Sequence, residues 1–440
     1  MKESNDYVAL EITQLEPPIE NLTSSIKAKL ETILFPCTIF SVPNRFLTQN
    51  ENVYQPTLIS IGAMHHGKTH LQHMENHKWD YLNSLLGRKL LLHSNYSIID
   101  SCVTALKELE PKIRACYEDN YSIQSDDFVR MMLLDGGFII ELFLRYSIKG
   151  LRRRDDPLFR SPEKFNNLRS DLILLENQIP FFVLRALFSI VPLPKQCDRT
   201  ISQLSLRFFK GVIPGDVDLL QERYNFEGSN HLLDLIWKCY IPSSSKLPLS
   251  SGSEFGRIIH SASKLQEAGI KVKTIEAESV MDVKFVQGSL IIPSLTIHNH
   301  MEIVFRNLIA MEHCHVEKTK HVTSYAFLMK GLIQSEIDVN LLFRRGILHS
   351  YVGKKEEVIN MFKKLCENID LDKFYYEGMW EQINGYGRTR WDVWCYKLKH
   401  KSRQFHCKYS GAVLGVAILI FVLICILFCA LYLFIRRRRS

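Results

Sequence analysis

Residues 412–435, AVLGVAILIFVLICILFCALYLFI, run for 24 positions without a charged side chain. At about 1.5 Å rise per residue, a helix of that length reaches roughly 36 Å, against a hydrocarbon core of about 30 Å. Seventeen of the 24 are Val, Leu, Ile or Phe, which at roughly −0.4 kcal/mol each favours insertion by about 7 kcal/mol. Lipid offers backbone groups no outside partner, so such a run must be helical. Tyr409 and Tyr432 fall near the two interfaces. A buried core helix is the competing reading, but core helices seldom run this far without a polar residue. The run predicts a single-pass membrane protein whose partner through 412–435 is the lipid bilayer.

The charge distribution supports this. The chain carries a formal +8, yet nine basic residues and no acid lie between Lys397 and Ser440, five before the apolar run and Arg436–Arg439 after it. Residues 1–396 hold the remaining 46 basic side chains against 47 acidic ones. A body so balanced is not a nucleic-acid binder, so no nucleic-acid partner is expected. The N-terminus, MKESNDYVALEITQLEPPIE, is acidic and has no apolar core of a signal peptide. With five residues after the span, this is a tail-anchor layout. It predicts a body facing the cytosol at the plasma membrane or an endomembrane. The 11 Cys include no CxxC and read as mostly reduced, buried thiols.

The body divides into a loose acidic arm with a lead-in helix (1–36), a globular part (37–406) and the anchor with its basic tail (407–440). Short β signals occur at Cys37–Val42 and Thr57–Ile61. Helical periodicity predicts helices over 68–93, 97–117, 126–149, 162–176 and 180–191, then 215–239, 254–269, 301–316, 321–335, 353–369 and 388–406. Ser125 precedes two acids, as an N-cap would, and Pro180 sits where a helix could restart, with Asn177 just ahead. Residues 283–297, VKFVQGSLIIPSLTI, form a second β patch with a Gly at the turn. The Ser/Pro/Gly-rich stretch 241–256 is a candidate loop or domain seam. The expected fold is mainly α, a multi-helix globular body with minor short strands plus one C-terminal transmembrane helix.

Three constellations could carry chemistry. Gly62-Ala63-Met64-His65-His66-Gly67-Lys68-Thr69 is formally GxxxxGK[ST]. It would cradle phosphates on backbone amides, with Lys68 on the terminal phosphates and Thr69 on magnesium. Against that stands the lack of parallel strands and of a strand-borne acid; the bland reading is a strand-to-helix turn using Gly67. His66, His70, His73 and His77 recur at steps of four, three and four, a possible metal stripe on one helix, and His313-Cys314-His315 is another cluster. The bland reading is a solvated His-rich face. Asp135, Glu141 and Glu176 lie in apolar helical contexts and must be paired or shifted in pKa. Glu141 has Arg145 at i+4, and Arg306 is a candidate partner across the fold. Buried structural pairs are favoured over a catalytic acid; no catalytic residue, cofactor or metal ligand is assigned.

Taken together, Val42-Pro43-Asn44-Arg45, SIGAMHHGKTHLQHMENHKWDYL (60–82), DGGFIIELFL (135–144), DLILLENQIPFFVL (171–184), SASKLQEAGIKV (261–272), DVKFVQGSLIIPSLTI (282–297), RNLIAMEH (306–313) and SYAFLMKGLI (324–333) resemble, in order, the plant domain-of-unknown-function 247 family, also called uncharacterised protein family 0481. The resemblance covers roughly 37–435. It accounts for His65, His66, Gly67, Lys68 and His77 as parts of one family segment. The family supplies no established catalytic residue or cofactor. Relatives are implicated in self-incompatibility recognition in grasses, which implies a role in recognising a protein partner. The expected function is a non-enzymatic recognition or interaction module at a membrane; the alternative is a nucleotide-binding protein using Gly62, Gly67, Lys68 and Thr69.

Overall fold

The computed structural model describes residues 36–386 apart from 49, 89–93, 120, 224–225, 243–258, 299, 316–317 and 351–353. The apolar run 412–435, its basic flanks, the acidic arm, the helix expected at 388–406 and nearly all of the stretch 241–256 lie outside the described residues. Among the described residues no helix is long and apolar enough to cross a membrane.

The body is built around one buried helix. The principal helices of the first half are α1 (Glu75–Leu86), α2 (Ser94–Ala115), α3 (Ser125–Ser147), α4 (Pro162–Asp171), α5 (Phe181–Ile190), α6 (Ile201–Phe208) and α7 (Leu232–Tyr240). In α3 every residue from Phe128 to Arg145 except Arg130 is buried. A helix apolar around most of its circumference must be enclosed by others, and α1, α2, α5 and α6 pack around it. Asp126 and Asp127 open it, where negative charge suits the helix dipole. Gly136 and Gly137 leave room for neighbours: a Cβ there would lie 2.5 Å from Leu187 Cδ1 of α5 and 2.6 Å from Leu82 Cδ1 of α1.

The second half contains α8 (Ala262–Glu267), α9 (Met301–Cys314), α10 (His321–Leu332), α11 (Glu336–Arg344), α12 (Lys355–Leu365) and α13 (Glu377–Tyr386). Helix α9 packs against α7, α10 and α12. Five short strands complete it: β1 (Lys271–Ile275), β2 (Lys284–Val286), β3 (Ser289–Pro293), β4 (Leu295–Ile297) and β5 (Leu348–Ser350). β1 runs parallel to β3, and β2 and β3 form an antiparallel hairpin. Gln287 (φ 46°) and Gly288 (φ 69°) give its turn two positive φ values, as a two-residue type I′ hairpin requires. β4 pairs with β5 in parallel across three intervening helices. One buried apolar cluster runs from Ile39 to Ile383, with residues from both sides of 241–256.

Mainly α with minor β is thus the observed class. Several boundaries differ from expectation. The helix predicted over 68–93 is a 3-10 stretch, Thr69–Met74, followed by α1. That predicted over 215–239 is broken into Val217–Arg223, a 3-10 turn at Phe226–Gly228, and α7. That predicted over 254–269 is described only as Ala262–Glu267. Ser125 is the first helical residue of α3, and its hydroxyl donates to Glu110 Oε2 at 2.6 Å instead of capping. The β signal at 37–42 is one isolated bridge, Ile39 to Tyr117, and Thr57–Ile61 is not a strand.

Candidate functional site

Thr57–Gly62 has the apolar content of a strand, with Leu58, Ile59 and Ile61 all buried. Consecutive buried residues leave consecutive amides without water, and each needs a partner. Side chains supply them. The Asp171 carboxylate at the end of α4 accepts from the amides of Thr57 (3.0 Å), Leu58 (2.6 Å) and Ile59 (2.9 Å). Asn177 Oδ1 accepts from Ile61 N–H at 2.7 Å, while Asn177 Nδ2 donates to the carbonyls of Ile59 and Asp171. Asn177 is therefore a bridge between two segments and not the helix cap its position suggested; α5 is entered from Pro180 without a side-chain cap.

Asp135 extends this frame. Its Oδ2 accepts from Gly62 N–H at 2.8 Å, and its Oδ1 sits 2.7 Å from the Lys78 ammonium, which also meets Glu75 Oε1 at 2.7 Å. Both Lys78 and Asp135 are buried. Burial pulls the Lys78 ammonium down, but Asp135 and Glu75 together hold it above its ordinary pKa, while burial raises the Asp135 carboxyl against the pull of Lys78; the 2.7 Å contact fits an ion pair. Gly62 has φ +77°, and a Cβ there would lie 2.2 Å from the Gln178 carbonyl oxygen. Tyr117 Oη donates to that same carbonyl at 3.0 Å.

His65 is buried beside Glu176, with Nε2 3.4 Å from Glu176 Oε2, and neither ring nitrogen makes a hydrogen bond. The other carboxylate oxygen of Glu176 accepts from Val42 N–H at 2.8 Å. Burial, reinforced by Lys68, pushes the His65 imidazole down to about 3, and burial raises Glu176. Imidazole held neutral in the fold but near 6.5 when unfolded contributes stability above pH 6.5 that is lost as pH falls toward 3. Wild type should therefore lose about 1.4 kcal/mol per pH unit relative to His65→Gln between about pH 6 and 4. Urea unfolding of both proteins across that range is the measurement; parallel stability curves would refute the assignment.

The loop read as GxxxxGK[ST] can now be placed. The Gly62 amide goes to Asp135, that of Ile61 just before the loop goes to Asn177, and those of His66 and Lys68 turn back to the carbonyls of Ala63 and His65, each at 3.4 Å. Lys68 Nζ donates to Gln55 Oε1 at 2.8 Å. Thr69 opens a 3-10 stretch rather than an α-helix. A phosphate cradle relies on free amides at a helix N-terminus; here a carboxylate already occupies the first glycine amide. The histidine stripe is also altered by the backbone. His66 lies in a turn, His70 and His73 in the 3-10 stretch and His77 in α1, so the four do not share one helical pitch. His70 Nε2 lies 3.3 Å from the Pro56 carbonyl oxygen, and His73 Nδ1 lies 3.1 Å from that of His70. Among the described residues no three His, Cys, Asp or Glu side chains converge on a metal position.

Glu141 lies between Arg88 and Arg145, with Arg145 Nε at 2.8 Å, as the i, i+4 spacing predicted. Arg145 Nη1 also holds Asp156 at 2.8 Å, to which Tyr81 Oη donates at 2.7 Å. Arg306, expected as a partner across the fold, bonds Glu302 one turn away in α9 at 2.9 Å and also reaches the Tyr54 hydroxyl; the cation opposite Asp135 is Lys78. Cluster 313–315 points three ways: His313 Nδ1 meets Arg45 Nη2 at 3.0 Å, Cys314 Sγ donates to the Ser41 carbonyl at 3.8 Å, and the His315 ring packs on Phe40. Glu312 accepts from Trp237 Nε1 and from the amides of Val322 and Thr323.

The segments 42–45, 60–82, 135–144, 171–178 and 306–313 thus meet through polar contacts, several of them buried. A family profile described as "plant protein of unknown function", domain of unknown function 247, matches residues 39–424. The chain belongs to this plant family. Within the domain-of-unknown-function 247 family it is similar to UPF0481 protein At3g47200 of Arabidopsis thaliana, 29% identical over 87% of this chain and 84% of that protein. It is also similar to putative UPF0481 protein At3g02645 of the same plant, 24% identical over 81% of this chain and 83% of that protein. No solved structure matches it significantly. Sequence reasoning about this family member missed Lys78 and Asp171. Lys78 was detectable, because it occupies the apolar stripe Met74, Lys78, Tyr81, Leu82 and Leu85, where only a paired lysine can stay charged.

Proposed function

We propose that this member of the family is a membrane-tethered, non-enzymatic module that recognises a protein partner. The observation that carries the reading is the use made of the buried acids. Asp135, Glu141, Asp171 and Glu312 each bind backbone amides or paired cations. Such acids hold segments together and are not poised for proton transfer to a substrate. The tether is the uncharged run 412–435, whose length and hydropathy fit one bilayer crossing. The free thiols of the described cysteines, four of them buried, support a body facing a reducing compartment.

Full-length protein is expected to stay with the membrane pellet after alkaline carbonate washing, and extraction into the supernatant would sink the tether. Titration of the same protein with Mg-ATP should give no heat. Micromolar binding abolished by Lys68→Ala would replace the recognition reading with the nucleotide one.

A further inference from the structure

Residues 149–164 and the end of α6 are rich in exposed basic side chains. Lys149, Arg153, Arg154, Arg160 and Lys164 are exposed, against Asp155 and Glu163 as the exposed acids of that stretch. Arg207 and Lys210 add two more exposed cations. None of these seven has a carboxylate partner among the described residues.

One aromatic cluster joins the pieces. Tyr146 stacks on Phe165 with centroids 5.7 Å apart, and Phe208 meets Tyr146 at 5.3 Å and Phe165 at 5.5 Å. Phe159 meets Phe165 at 5.3 Å. Two half-buried guanidiniums cover these rings. Arg152 lies 4.9 Å from the Phe159 centroid, and Arg169 lies 4.6 Å from that of Phe165. Arg169 bonds the Tyr146 hydroxyl, while its Nε has no hydrogen-bond partner. Rings engaged in this way are not available for stacking on bases, which disfavours a single-stranded nucleic acid as the occupant. A local excess of exposed cations instead suits the headgroup layer of an anionic bilayer, where each such cation strengthens binding by about fivefold.

We propose that this face, Lys149 to Lys164 with Arg207 and Lys210, lies against the anionic phospholipid headgroups of the membrane that holds the chain. The proposal rests on the tether reading for its proximity to lipid. The test uses the full chain in nanodiscs of phosphatidylcholine, with or without 30% phosphatidylserine. Lysine acetylation rates are followed by mass spectrometry at Lys149, Lys164 and Lys210, with exposed Lys355 and Lys363 of α12 as references. The three patch lysines should react at least about threefold more slowly in the serine-containing discs. The slowing should vanish in 0.5 M NaCl, and in Arg154→Glu/Arg160→Glu, whose side chains are exposed. Equal rates in both discs, or an equal slowing at α12, would overturn the proposal. Protection of the same lysines by added RNA or acidic peptide, with none from phosphatidylserine, would overturn it in favour of those ligands. Carbonate extraction reads the tether separately, and in that case salt-sensitive flotation of the full chain with serine-containing vesicles still reports on the face.

Discussion

Replacing Lys78 by methionine is expected to lower the unfolding free energy by about 3–5 kcal/mol, because it leaves the Asp135 carboxylate buried without its cation. The side chain is nearly isosteric, so little of that loss comes from packing. Asp135 keeps its bond from Gly62 N–H, which alone cannot replace a cation at 2.7 Å. The second half of the cycle decides the cause. Lys78→Met combined with Asp135→Asn removes both charges and keeps an acceptor for Gly62. It should recover at least about half of the lost stability, since deleting a buried pair is far less harmful than breaking it. Urea unfolding followed by tryptophan fluorescence measures all three proteins. A single-mutant loss under about 1 kcal/mol, or a double mutant as unstable as the single, would mean that the pair does not secure this segment.

Gly62→Ala and Gly67→Ala occupy the two glycines of the phosphate-loop pattern and should behave very differently. Both glycines have positive φ, +77° and +81°, a conformation that costs an alanine about 1 kcal/mol. At Gly67 nothing lies within 4 Å of an added Cβ, so that strain is the whole effect. At Gly62 the Cβ would fall 2.2 Å from the Gln178 carbonyl and 2.7 Å from Tyr117 Oη. The carbonyl belongs to a segment tied down by Asn177 and Gln178: Gln178 Nε2 donates to the carbonyls of Leu172 and Leu174. Relief requires moving backbone, and a loss of about 3 kcal/mol or more is expected. Thermal melts of the two variants check this, and comparable melting temperatures would contradict the close packing described here.

What could be read from the chain follows from how local each interaction is. Helix α3 and the β2–β3 hairpin announce themselves through periodicity and turn residues, and the Glu141–Arg145 pair through its i, i+4 spacing. Thr57–Ile61 misled because hydrophobic content indicates burial, while the identity of the hydrogen-bond partner is non-local: Asp171 lies 112 positions beyond Ile59. The Lys78–Asp135 bond spans 57 positions for the same reason. Two helices were missed although their caps were present in the sequence. Thr200 with Gln203 opens α6, and Ser335 with Asp338 opens α11, each a reciprocal capping box. Their apolar faces are too short to stand out by periodicity, and the cap motif was the better signal.

The contacts made by the first described residues reach partners that are synthesised at very different times. Val53 O accepts from Asn307 Nδ2, 254 positions later, and Arg45 meets His313, 268 positions later. The α3 assembly draws on partners between Glu75 and Phe208, so its pieces leave the ribosome well before those late anchors exist. The earliest-made segment of the body is therefore held in two instalments, first by Asp135, Asp171, Glu176 and Asn177 and then by α9. A truncation just before α9 leaves the partners of Val42, Thr57–Ile59, Ile61 and Gly62 in place and takes away those of Arg45 and the Val53 carbonyl.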